Sequence, residues 1–246
     1  MMSNCASQSF YNSRLAWRAL LAACLPQRCA LCAAASGGTL VCSDCDRALP
    51  RLPPACPRCA LPTADGAVCG PCARRSSPFV RAIAVFAYAF PLDRLLQEFK
   101  YAGQLALASW FAEALARQIR AWPDALVALP LAPERQRARG YNQAGEIARA
   151  LARHGGVALS NALVRIRDTT PQANLHGAER ARNMHGAFAA RSSLAGLRIA
   201  IVDDVMTTGA TLRAAAVAAR AAGAREVEVW AVARTLPPAP PPSPPP

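Results

Sequence analysis

From residue 81 onward, short runs of apolar residues alternate with longer segments in which apolar side chains recur at helical spacing. The runs at 81–90 (Ile83, Val85 and Phe86), 125–129, 161–166, 199–202 and 227–232 predict strands. Between them, 93–101, 105–120, a stretch through Ile147 to Arg153 and the Ala-rich 213–222 predict helices. Strands alternating with helices imply an α/β domain with a parallel sheet flanked by helices. Upstream, Leu15, Ala19 and Leu20 predict a short amphipathic helix within 12–24, whereas 26–75 has almost no apolar period. Residues 167–183 are polar and aperiodic, a long loop able to close over a ligand. Ten residues from Pro237, nearly all proline, form neither helix nor ladder.

Cysteine spacing explains how 26–75 can fold without a core of its own. Of ten cysteines, eight fall in four Cys-x-x-Cys pairs: Cys29/Cys32, Cys42/Cys45, Cys56/Cys59 and Cys69/Cys72. A disulfide scaffold would require export, but the apolar stretch at 15–25 is broken by Arg18 and lacks a cleavage context, and no run is long enough to cross a membrane. The expectation is a cytoplasmic protein whose paired cysteines bind metal. Each pair can form a knuckle directing two thiolates at one ion, and two knuckles complete a tetrahedral Zn²⁺ site. Nine residues separate Cys32 from Cys42, and nine again separate Cys59 from Cys69. That repeat points to two successive ribbons, Cys29, Cys32, Cys42 and Cys45 holding one ion and Cys56, Cys59, Cys69 and Cys72 the other. A crossed pairing of knuckles fits the same spacing. Four thiolates leave no open position on the metal, so both sites are structural.

The formal charge is +13, nearly all arginine, since Lys100 is the only lysine. Eight thiolates against two Zn²⁺ bring the effective value nearer about +9. Such a balance suits phosphorylated ligands or nucleic acid. Across 134–191, ten arginines face four acids, which concentrates the excess in two predicted loops. One of them, 131–143, carries Arg135, Arg137 and Arg139 at alternate positions before a glycine, beside a strand's C-terminal end. These arginines read equally as an anion cradle or as a solvated basic helix start.

The densest chemistry lies in 199–212. An apolar run passes two adjacent carboxylates, Asp203 and Asp204, turns through Thr207, Thr208, Gly209, Ala210 and Thr211, and continues into the Ala-rich helix. A strand-loop-helix junction aims backbone N–H groups and hydroxyls at a helix N-terminus, where a phosphate is favoured. The carboxylates suit what sits beside a phosphate, namely sugar hydroxyls or Mg²⁺ shared with the phosphates.

This stretch resembles the 5-phosphoribosyl-1-pyrophosphate (PRPP) motif of type I phosphoribosyltransferases. The resemblance implies that Asp203 and Asp204 contact the ribose hydroxyls and that Thr207, Thr208, Gly209, Ala210 and Thr211 wrap the 5′-phosphate. Three more strings, Arg-x-Arg-Gly-Tyr-Asn-Gln at 137–143, Thr-Pro-Gln at 170–172 and Arg-Asn-x-x-Gly-Ala-Phe at 182–188 (Arg182, Asn183 and Gly186 to Phe188), are similar to the ComF/GntX branch, as are the ribbons in front. By that resemblance the 131–143 loop meets pyrophosphate and 167–183 forms or adjoins the mobile flap.

The expected layout is a helix at 1–25, a double zinc ribbon at 26–75, a phosphoribosyltransferase-like α/β domain at 76–236 and a proline-rich tail. Two functions follow from the resemblance. One is a Mg²⁺-dependent enzyme moving phosphoribose from PRPP to a nucleobase acceptor with release of pyrophosphate. The other is a non-catalytic PRPP sensor that binds single-stranded DNA or DNA-uptake proteins. Because 26–75 contains no Phe, Tyr or Trp, the ribbons suit protein contact or scaffolding better than base stacking.

Overall fold

The computed structural model describes residues 27–167 and 186–237 and divides the chain into two compact units, Met1–Leu49 and Pro50–Pro246. The expected helix at 12–24, most of the flap and all but the first residue of the proline tail lie outside the described residues. In the first unit, a bridge between Arg28 and Ala35 closes a knuckle, and helix α1 (Ser43–Ala48) carries the last cysteine.

The second unit opens with an equivalent knuckle, bridged Ala55 to Pro62, and a one-turn helix, α2 (Gly70–Ala73). Every landmark recurs at the same interval: both bridges, both helix starts and the left-handed residues Ala33 (φ 59°) and Ala60 (φ 55°). The ribbons are thus two copies of one motif. Their cysteines group sequentially, which settles the pairing that spacing left open.

Downstream come β1 (Arg81–Ala87), α3 (Leu92–Tyr101), α4 (Ala106–Ala116), β2 (Ala125–Ala128), α5 (Pro133–Arg139), α6 (Gln143–Gly155), β3 (Ala158–Ser160), β4 (Leu163–Arg165), β5 (Phe188–Ala190), β6 (Arg198–Met206), α7 (Ala210–Ala221) and β7 (Glu226–Arg234). Five strands pair in parallel in the order β1-β7-β6-β2-β3. One face buries Ile199, Ile201, Val227 and Val229 against Leu212, Ala215, Ala216 and Ala219 of α7, where small side chains let the helix lie close. Alternation turns Ala200 and Val202 to the opposite face, where α4 and α6 pack. The fold is that of a type I phosphoribosyltransferase, preceded in sequence by the small cysteine module.

Three segments differ from the expectation. Residues 133–139 form α5 rather than a loop, with Pro133 at its first position, Glu134 in its first turn and Gly140 (φ 77°) closing it. The strand expected at 161–166 is β4, but it pairs antiparallel with β5 in a separate two-stranded sheet. The parallel strand on that side is β3, three residues long and too short to show a period. Finally, β6 runs through both aspartates to Met206, because β7 lies alongside and continues the ladder to Arg234.

Candidate functional site

From β2 the chain goes outward to β3; from β6 it goes the other way, to β7. β2 and β6 are neighbours, with Ala128 opposite Val202, so the connections beyond their C-terminal ends diverge and leave a crevice at a topological switch point. The two most chemically loaded stretches of the sequence flank that crevice: 203–211 after β6 and α5 after β2.

On the β6 side, Thr207 and Thr208 are exposed and Gly209 is buried. Gly209 has φ 78° and serves as the N-cap of α7; a Cβ there would stand 2.7 Å from Met206 Cε. Only glycine makes this turn without strain. Thr208 Oγ1 accepts the Ala210 N–H at 3.3 Å, and Ala210 and Thr211 lie half-buried in the helix's first turn. The loop presents hydroxyls and the positive end of α7 to the crevice.

The carboxylates are held differently. Asp203 accepts the Asp204 N–H at 2.8 Å, and burial, reinforced by the neighbouring Asp204 carboxylate, pushes its carboxyl well above the usual range. Asp204 accepts the Val205 N–H at 2.7 Å and pairs with Lys100 Nζ at 2.7 Å; the two side chains are 14% and 18% exposed. An ion pair so shielded is stronger and more demanding than a surface one. The single lysine therefore belongs to this site.

On the β2 side, Arg135 and Arg139 share a face of α5 and are half-buried, while Arg137 is exposed. Arg139 stacks over Tyr101 at 5.3 Å, donates to its hydroxyl at 3.4 Å and to Gln143 Oε1 at 3.1 Å. Gln143 is 2% exposed. The Tyr141 hydroxyl donates to the Phe99 carbonyl, and Asn142 Nδ2 donates to the Leu129 carbonyl at 3.0 Å. Residues 139–143 thus form a clasp that ties α5 to the end of α3. Tyr101, the partner of Arg139, follows Lys100 directly, so both charges are held from the end of α3. Of the arginine trio, Arg139 is the one with defined partners at the crevice among the described residues.

Sequence reasoning also passed over Arg234, 5% exposed at the end of β7. A charge closing the apolar run Val229-Trp230-Ala231-Val232-Ala233 was the available signal. Its guanidinium donates to the carbonyls of Met206 (3.0 Å), Thr207, Thr235 (2.8 Å) and Cys59 (2.9 Å).

Each set of four cysteine sulfurs lies within 4.8 Å of one another. Cys32 and Cys42 approach to 3.8 Å and Cys59 and Cys69 to 3.7 Å. A ZnS₄ tetrahedron with bonds of about 2.3 Å has edges of about 3.8 Å, so donor set and spacing both fit Zn²⁺. Burial would raise the Cys29 thiol, but N–H groups of Cys32, Cys42 and Leu31 bring it down to about 6. Cys56 behaves alike, lowered to about 7 by the N–H groups of Cys69, Arg58 and Cys59 against the effect of burial. Cys45 and Cys72 are raised by burial and by adjacent thiols. Four thiols so arranged need a cation before all can ionise. No helix among the described residues is long and apolar enough to cross a membrane.

The parallel strand order, the acidic strand end and the threonine-glycine loop at the switch point define a protein of the type I phosphoribosyltransferase class. Residues 108–242 match the phosphoribosyl transferase domain family and 20–73 the double zinc ribbon domain family. The chain is 34% identical to the DNA utilization protein YhgH of Salmonella typhimurium over 172 residues, covering 66% of this chain and 76% of that protein. It is 30% identical to Competence protein F of Haemophilus influenzae over 206 residues, covering 79% and 90%. Competence protein ComFC of Streptococcus pneumoniae matches at 26% over 152 residues, 61% and 67% of the two chains. The chain belongs to the ComF/GntX family of the phosphoribosyltransferase superfamily.

Proposed function

We propose that the protein binds PRPP with Mg²⁺ in the switch-point crevice and transfers its phosphoribosyl group to a nitrogen nucleophile, probed first with free nucleobases. In this reading Thr207, Thr208, Gly209, Ala210 and Thr211 hold the 5′-phosphate and Asp203 and Asp204 the ribose hydroxyls. Arg135, Arg137 and Arg139 meet the pyrophosphate. The nucleophile's lone pair forms the new bond to C1 as the bond from C1 to the pyrophosphate oxygen breaks. That electron pair departs with pyrophosphate, and the nitrogen's proton passes to solvent. Mg²⁺ arrives as part of the substrate, on the pyrophosphate oxygens. The protein's work is positioning and stabilising the charge that develops on the leaving group.

One observation carries the reading: an acidic strand end and a glycine-turned loop after β6 and an arginine helix after β2 leave the C-terminal ends of neighbouring strands at the switch point, with Lys100 bound to Asp204. The printed names of the relatives, DNA utilization and competence, support a role linked to DNA use, which this reading places in the cytoplasm. Those names also favour a second reading, a PRPP-responsive binding protein for single-stranded DNA or DNA-uptake proteins. The layout of terminal helix, double ribbon, transferase-like domain and proline tail is part of the same proposal.

Titration calorimetry with PRPP and Mg²⁺ tests the site. Binding to the wild type that is lost in Asp203→Asn/Asp204→Asn is expected; no binding, or equal binding to both, would sink it. A pyrophosphate-release assay with bases, nucleosides and single-stranded DNA then separates the readings, since only the enzyme turns over.

A further inference from the structure

Arg234 joins two parts of the second unit that serve different chemistry. Nε donates to the carbonyl of Cys59, a ligand of the second cysteine cluster. Nη1 donates to the carbonyls of Met206, Thr207 and Thr235, at the point where β6 turns into the phosphate loop. A planar guanidinium, with donors directed two ways from one rigid group, can span both ends; an ammonium cannot. Burying that charge is costly without a counter-charge, and the thiolates of Cys59 and Cys72 supply one. Four thiolates around one Zn²⁺ leave a net negative centre behind the loop.

A second tie holds the loop's other flank. Arg213, in the first turn of α7, stacks over Phe79 at 5.6 Å and reaches the Ser76 carbonyl at 3.5 Å. Both contacts lie on the segment leading from the ribbon to β1. Ala60, next to Cys59, is 2% exposed within the sheet's own apolar cluster. The second ribbon is therefore built into the sheet at the place where the loop departs.

We propose that Arg234 is a positioning residue through which the zinc-filled second cluster orders the loop of residues 207–211, so that loss of this metal disorders the phosphate site. The consequence for PRPP affinity rests on the function proposed above; the consequence for the loop does not.

The test uses the full chain, reading amide hydrogen exchange by peptide together with zinc content. Cys72→Ser should reduce zinc from two ions per chain to one and speed exchange across 207–211 by about tenfold, leaving α6 unchanged. Arg234→Lys, which keeps charge and most of the volume but loses the fork, should retain both ions and speed the same peptide equally. The double variant should be no faster than either single one, since both break the same link. In calorimetry each single variant should weaken PRPP binding about tenfold. The proposal is overturned if the loop peptide is unmoved in either single variant, if exchange rises equally in α6, or if the two effects multiply. Should the wild type bind no PRPP, the exchange measurements still decide the link between metal and loop.

Discussion

Gly209 and Asp203 carry opposite kinds of cost. At Gly209 the backbone is left-handed, so any side chain is strained; Gly209→Ala should destabilise the protein by about 1–2 kcal/mol. Thermal denaturation should place its Tm below the wild type by roughly 2–8 °C. Asp203 is the reverse case. The fold raises its carboxyl while the unfolded chain ionises it freely, so stability from this group declines as pH rises from the ordinary carboxylate range toward the raised value. The penalty is present at pH 7 and vanishes in acid. Asp203→Asn should therefore melt higher by about 2–4 °C at pH 7, and the gain should shrink as pH falls from the raised value toward about 4, below which it is gone. A variant that melts lower at pH 7 would show that the carboxylate is not strained. Residue types at this site were legible because few other chemistries need two acids, a turn glycine and threonines in one window. Lys100 and Arg234 were not, because a single charge acquires meaning only from its partner.

At the scale of elements, α5 illustrates what periodicity misses. Its proline, first-turn acid and closing glycine were all present, but seven residues rich in arginine have no apolar stripe to reveal a helix. What the helix gains is orientation: Arg139 is held by Tyr101 and Gln143. Losing the ring should cost about 0.5–1 kcal/mol, so Tyr101→Ala should weaken PRPP binding about two- to fivefold without moving Tm appreciably. Calorimetry beside a melting curve reads both. The knuckles make a pH prediction. Cys29 and Cys56 have lowered thiol values, so the thiolate form contributes above the ordinary thiol range and is lost as pH falls through about 7 and about 6. Metal binding lowers these values further. Zinc should stay bound at neutral pH and be released on acidification below about 6; a chromogenic chelator follows the release. Retention of both ions far below that pH would contradict the prediction.

For the whole molecule, the interior position of β7, between β1 and β6, concentrates stability in one strand. Trp230 is fully buried there, edge-on to Trp122 at 5.8 Å, with its indole N–H on Glu228 at 2.8 Å. Trp230→Ala should cost about 3–5 kcal/mol, measured by urea denaturation; a loss below about 1 kcal/mol would mean the strand is not central to the core. The same strand ends in Arg234, so the element that anchors the core also anchors the 207–211 loop.

The sequence by itself determined the α/β class, the eight metal ligands and the 203–211 stretch, because strand period, paired cysteines and a strand-loop-helix phosphate motif are local patterns. Tertiary structure decided the rest: which knuckles share an ion, which strands meet, and that the crevice lies between β2 and β6. It also decided that Lys100 pairs with Asp204, that Tyr101 holds Arg139 and that Arg234 ties down the loop. Those pairings join residues far apart in the chain, and no local period records which of them will touch.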